Sequence, residues 1–178
     1  MGNARLACGV DQGLGGGGTG HELPGDPALP RLILDSYERF TGLPLTPTGI
    51  EGVEAVRWLY EAAPFGVLAH DTVPDPCFVY ANKTAQRCFG YPWAEFITLP
   101  SRLSAEAPDR TERQGLLDQV ARQGFASGYR GLRIARSGRR FWIEDVTMWQ
   151  LTDPIGAVHG QAAIFPRWRD LGTTEQAG

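Results

Sequence analysis

Residues 78–91 read Phe78-Val79-Tyr80-Ala81-Asn82-Lys83-Thr84-Ala85-Gln86-Arg87-Cys88-Phe89-Gly90-Tyr91, and the backbone period changes inside them without an intervening loop. The run Cys77 to Ala81 is apolar and β-prone. Asn82 is a capping residue, because its side-chain oxygen can accept from a free amide of the first helical turn. Asn82 to Phe89 therefore reads as one or two turns of helix that Gly90 closes. Upstream, Phe65 to His70 is a second β-prone run, joined to the first by the turn-rich segment Asp71 to Pro76. The two runs predict the first hairpin of a sheet.

Downstream, Pro92 starts a helical turn over Trp93 to Phe96, and Leu99 to Pro108 is irregular. Asp109 to Gln123 reads as the longest helix of the second half, with Asp109 as N-cap, Glu112 at the capping-box position, Leu116, Leu117 and Val120 as its apolar side, and Gly124 as its stop. Tyr129 to Arg136 and Arg139 to Gln150 flank Ser137-Gly138, which reads as a two-residue hairpin turn. A turn of that length pairs Ile134 with Phe141, Leu132 with Ile143 and Arg130 with Asp145 on one face, and sets Arg133 beside Trp142 on the other. Ala157 to Phe165 makes a fifth strand after the turn at Asp153 to Gly156.

Toward the N-terminus, Leu29, Leu32, Ile33, Tyr37 and Phe40 recur at helical spacing between Asp26, a candidate N-cap, and Gly42, a candidate stop. A linker, Leu43 to Gly49, leads to a second short helix over about Ile50 to Ala62. Residues 1–26 are glycine-rich with little apolar content and read as a flexible tail, 27–62 as a helical segment, 63–168 as the sheet-bearing domain, and 169–178 as a C-terminal tail.

A chain of 178 residues is one domain's worth of sequence. Its 42% hydrophobic and 21% charged content is that of a globular protein, and its formal charge of −3 gives no basic footprint for nucleic acid. The longest apolar stretch, Ala62 to His70, falls short of the roughly 20 residues that span a bilayer. Met1 to Gly20 lacks the apolar run of an export signal, so a cytoplasmic protein is expected. Cys8, Cys77 and Cys88 are an odd number without metal spacing, which suits buried or idle thiols in a reducing compartment. Among the basic residues Lys83 is the sole lysine, a bias that points to a GC-rich bacterial genome.

The order of strand, strand, short helices, longer helix and three strands resembles a PAS domain, and Phe78 to Ala85 followed by Phe89-Gly90-Tyr91 resembles the opening of many PAS sensors. More narrowly, the chain resembles the MEKHLA-domain family. The residues that carry this are Trp58-Leu59-Tyr60-Glu61, Leu99 to Glu106, Ser137 to Phe141 with Ile143-Glu144-Asp145, and Gly160 to Ala163. The resemblance implies an α+β fold: a PAS-like five-stranded antiparallel sheet with short helices on one side, plus the N-terminal helices. It also implies a small-molecule or redox sensing module with no assigned ligand. MEKHLA domains are known as the C-terminal regulatory region of plant homeodomain-leucine-zipper proteins and as stand-alone bacterial proteins. No homeodomain or zipper is present in this sequence, so DNA binding does not carry over.

The chemical signals are sparse. Photoadduct formation in a flavin PAS domain needs a reactive cysteine after the short helices, and Leu99 to Gln123 has none. No histidine lies between His70 and His159 to ligate a haem, and the glycines of Gly13 to Gly18 lack the strand and Gly-Lys of a phosphate loop. Asp145, on one face with Phe141, Ile143 and Trp149 by alternation, must be paired if it points inward. Arg130 opposite it makes either an ion pair bracing the sheet or a polar handle for a ligand, and a general base is the least supported use. The expected pocket is the concave sheet face with the long helix, lined by Tyr80, Leu103, Phe125, Arg130, Phe141, Ile143, Asp145 and Trp149. The expected function is a sensory or regulatory module without catalytic activity, binding a small molecule, a protein partner or a second copy of itself, with neither nucleic acid nor membrane as partner. The alternatives are a ligand-free dimerisation module and an enzyme on a PAS-like scaffold. The sequence assigns no cofactor.

Overall fold

In the computed structural model residues 23–105 and 107–171 are described, those of 107–113 as backbone only. The chain runs α1 (Ala28–Thr41), α2 (Gly52–Glu61), β1 (Gly66–His70), β2 (Phe78–Ala81), α3 (Lys83–Phe89), α4 (Trp93–Phe96), a 3-10 helix (Ser101–Ser104), α5 (Ala107–Gln123), β3 (Phe125–Ile134), β4 (Arg140–Thr152), β5 (Val158–Phe165) and β6 (Arg167–Asp170). The antiparallel sheet has the order β2-β1-β5-β4-β3. Six strands are formed where five were expected, because β6 resumes pairing with β4 beyond Pro166, where β5 leaves off. The expected C-terminal tail therefore starts inside a strand. Residues 23–26 of the expected N-terminal tail are also engaged, Leu23 packing with the helices and Gly25 lying against the Trp93 ring.

The strand-to-helix junction at Asn82 forms as the sequence predicts. Asn82 adopts extended backbone and its Oδ1 accepts from the Ala85 amide at 2.9 Å, while Gly90 ends α3 at φ 74°. Asn82 does more than cap. Its Oδ1 also accepts from Val67 N at 3.0 Å, and its Nδ2 donates to Leu59 O and Phe65 O at 3.2 and 2.9 Å. One buried side chain thus ties α2, β1 and α3 together. At α1 the Asp26 carboxylate accepts from Ala28 N and Gly42 closes the helix at φ 73°. The long helix begins at Ala107, two residues before the expected cap Asp109, whose side chain, like that of Glu112, lies outside the described residues.

Two apolar clusters cover the two faces. On the inner face α3, α4 and α5 close over the sheet, and Phe89 is the hub of an edge-to-face set with Phe96, Phe141 and Phe165 at 5.6, 5.0 and 6.0 Å. Each buried ring contributes about 1.5–3 kcal/mol. On the outer face α1 and α2 lie on Val67, Ala69, Tyr80, Trp149, Leu151 and Ala162. The Trp149 indole is fully buried there, donates to Ser36 Oγ at 3.0 Å and meets Tyr37 edge-on at 5.0 Å.

The β3–β4 hairpin departs from the expected register. Gly138, at φ 82°, is the third residue of a loop in which Gly138 N bonds Ala135 O and Ala135 N bonds Arg139 O, so the turn holds three residues instead of two. Ile134 then pairs with Arg140, Arg133 with Phe141 and Gly131 with Ile143. A slip of one residue turns every β3 side chain to the other face. Further along, two residues of β4, Glu144 and Asp145, stand opposite one of β3, and Asp145 takes φ 54°. This bulge moves the inward positions from Phe141 and Ile143 to Val146 and Met148. Val79 is a similar extra residue in β2, which is why Phe78 faces inward and Tyr80 outward.

Candidate functional site on the inner face of the sheet

The interior is apolar apart from one patch. Leu68, His70, Phe78, Ser104, Arg133, Ile143, Val146, Met148, Gln161, Ala163 and Phe165 surround a cavity of about 30 Å³ on the inner face, the size of one water. Arg133 is 5% exposed. Its Nη1 donates to Leu132 O at 2.7 Å and its guanidinium lies 5.6 Å from the Tyr129 ring. Among the described residues no carboxylate forms an ion pair with it. Gly131 makes room for this pair, since a Cβ there would stand 2.4 Å from Tyr129 Oη and 2.6 Å from Arg133 Nη1. Tyr129 Oη and Gln161 Oε1 are buried and have no hydrogen-bond partner among the described residues, although Gln161 Nε2 reaches Leu117 O at 3.4 Å.

His70 and Gln161 also line a second, open groove of about 450 Å³ between the 70–76 loop, the 3-10 helix and α5. The two side chains thus line both the small cavity and the groove open to solvent.

The pocket expected from sequence is largely dispersed. Of its eight residues, Phe141 and Ile143 face inward, and Ile143 lines the cavity. Tyr80 and Trp149 are buried on the outer face, carried there by the bulges at Val79 and Asp145. Burial pushes the Tyr80 phenol up, out of reach of ionisation. Leu103, on the 3-10 helix, is 42% exposed, and Phe125, paired with Trp149 at the start of β3, is 38% exposed. The Arg130–Asp145 pair is not formed. The three-residue turn and the bulge bring Arg130 to Glu144 at 3.2 Å and over the Trp142 ring at 3.9 Å, while Asp145 is exposed and paired with Arg167. The cation over Trp142 is therefore Arg130, and Arg133, expected there, is inside.

Tyr129, Arg133 and Gln161 were missed as site residues. A three-residue loop ending at the left-handed Gly138 turns Arg133 inward, a geometry that Ser137-Gly138 allows but does not dictate, and Gln161 on β5 carries no signal of its own.

Cys88 is a buried free thiol on α3. Burial pushes it up to about 12, against the lowering effect of Arg139, so it is not a nucleophile at neutral pH. Cys77 is disulfide-bonded, with its partner outside the described residues, so the reading of idle thiols does not hold for it. Among the described residues no three His, Cys, Asp or Glu side chains cluster as a metal site requires, and no helix is long and apolar enough to cross a membrane.

An antiparallel sheet in this order, with short helices packed on one face, is the architecture of the PAS fold class. The PAS domain of a protein from Colwellia psychrerythraea superposes with a TM-score of 0.55 at 17% identity, covering 67% of this chain and 96% of that domain. A light-oxygen-voltage domain studied with a flavin analogue gives 0.50 at 17% identity, over 62% and 79%. An RNA-binding light-oxygen-voltage receptor gives 0.56 at 27% identity, over 76% of this chain and 37% of the receptor. The MEKHLA domain family model matches residues 28–170, both N-terminal helices and the whole sheet included, and the chain belongs to that family. No curated protein matches it.

Proposed function

We propose that the domain is a sensory module that takes up a small molecule on the inner face of its sheet and passes the change to a protein partner. The observation that supports this reading is the set of under-satisfied polar groups at the inner cavity, Arg133 and Gln161 in its lining and Tyr129 beside Arg133. Buried polar groups are ordinarily hydrogen-bonded, and a lone buried charge costs several kcal/mol, so a core that keeps Arg133, Tyr129 Oη and Gln161 Oε1 under-satisfied holds them for something else. Strand β4 joins the two faces. Met148 lines the cavity, and the next residue, Trp149, is bonded to Ser36 of α1 on the other side. A ligand that shifts β4 acts on α1 through that indole.

The reading includes no covalent flavin chemistry, since Cys88 is buried with its thiol raised, and no RNA binding, since the net charge is −3. It includes no catalysis. A second reading, a ligand-free interaction module, draws on the small cavity, whose 30 Å³ is far below the roughly 300 Å³ of a usual ligand pocket. Native mass spectrometry with an absorbance scan, on protein incubated with a metabolite extract, separates the two. The sensory reading expects a retained small molecule at one per chain. A protein that stays at its bare mass against the whole pool refutes it and leaves the interaction module.

A further inference from the structure

The character of the inner-face site identifies its ligand more narrowly, and the argument rests on the sensory reading above. A guanidinium presents five N–H donors in a flat fork. That of Arg133 makes one hydrogen bond to a described residue, to the neighbouring carbonyl of Leu132, and has no carboxylate beside it among the described residues. It is nonetheless 5% exposed. A cation held in this way lacks its counter-charge, and the group that matches the fork in shape is a carboxylate, bound through two parallel N–H···O bonds. Around it Leu68, Phe78, Ile143 and Phe165 offer apolar walls for a short carbon chain. Gln161 Oε1 is buried with no donor among the described residues, so it suits a hydroxyl carried by the ligand.

We propose that the inner-face cavity is a binding site for a short hydroxycarboxylic acid, its carboxylate on Arg133 and its hydroxyl donating to Gln161. The cavity as it stands accommodates one water, so such an acid is admitted as the Gln161 side chain, which lines both spaces, swings toward the 450 Å³ groove, from where its Oε1 accepts the hydroxyl of the bound acid.

The test uses the full chain and three probes, lactate, acetate and lactamide, in chloride buffer of constant ionic strength. Binding is followed by isothermal titration and by the backbone amide shifts of Gly131, Arg133 and Gln161. Lactate is expected to bind and to move those three amides, acetate to bind more weakly, and lactamide, isosteric but uncharged, to bind about tenfold to a hundredfold more weakly. Arg133→Met is expected to lose lactate binding by a similar factor while melting at a higher temperature than the parent, because it removes an unpaired buried charge. Arg133→Lys keeps the charge without the fork and is expected to fall between. Lactamide binding as tightly as lactate, or lactate binding untouched in Arg133→Met, overturns the proposal. If no acid binds while native mass spectrometry retains a neutral molecule, the ligand class is wrong and the sensory reading stands. If neither probe nor metabolite binds, both fall.

Discussion

Replacing Asn82 by alanine removes the side chain on which three elements converge, and the cost can be worked from its bonds. Asn82 is fully buried. Its Oδ1 satisfies the amides of Val67 and Ala85, and its Nδ2 the carbonyls of Leu59 and Phe65. An alanine strips two buried N–H groups at about 1–3 kcal/mol each, whereas the carbonyls count for less because an under-satisfied C=O is better tolerated. The sum is about 4 kcal/mol. At about 2–4 °C per kcal/mol for a domain of this size, the melting temperature falls by about 8–16 °C. Asn82→Ser keeps the cap to Ala85 but cannot reach all four partners, and it should lose about half as much. Urea unfolding followed by tryptophan fluorescence gives the free energies, and hydrogen exchange shows whether the Val67 and Ala85 amides lose protection first. An alanine variant that melts within about 2 °C of the parent, or a serine variant no better than alanine, would refute the assignment of Asn82 as the junction of α2, β1 and α3.

Other expectations follow from single contacts. Cys88 should resist iodoacetamide at pH 8 in the folded protein and react once unfolded. Its raised proton affinity is a contribution to stability present below pH 9.0 and lost as the pH rises toward about 12, measurable as a falling urea midpoint across that window. Gly66→Ala places a methyl 2.0 Å from the Phe165 ring, deep in the core, and should destabilise by about 1–3 kcal/mol in the same assay. Trp149→Phe keeps most of the ring but removes the donor to Ser36, and should cost about 1–2 kcal/mol, with α1 showing the larger loss of exchange protection. Equal losses throughout the sheet would argue against Trp149 as the anchor of α1.

The fold was legible in the sequence wherever a single residue type fixes the local backbone. Asn82, Gly90, Gly42 and Gly124 each end or begin a helix where expected, and the two expected hairpins, β1 with β2 and β3 with β4, are formed. The site was not, because its lining depends on insertions of one residue. Ser137-Gly138 serves equally as a two-residue turn or as the end of a three-residue loop, and nothing local distinguishes them. The loop turns Arg133 in and Arg130 out, while the bulges at Val79 and Asp145 carry Tyr80 and Trp149 to the outer face. Asp145 takes a left-handed backbone that aspartate tolerates better than most residues, yet an aspartate in a strand is no signal of it. Gln161 was legible as a strand residue, but its unsatisfied oxygen becomes visible only when α5 is in place above it.

The central claim, that a three-residue turn carries Arg133 into the interior, is tested most directly by the cross-strand nuclear Overhauser effects of the β3–β4 hairpin. The structure predicts contacts between Arg133 and Phe141 and between Gly131 and Ile143. Contacts of Ile134 with Phe141 and Leu132 with Ile143 instead would put Arg133 on the opposite face and dissolve the site.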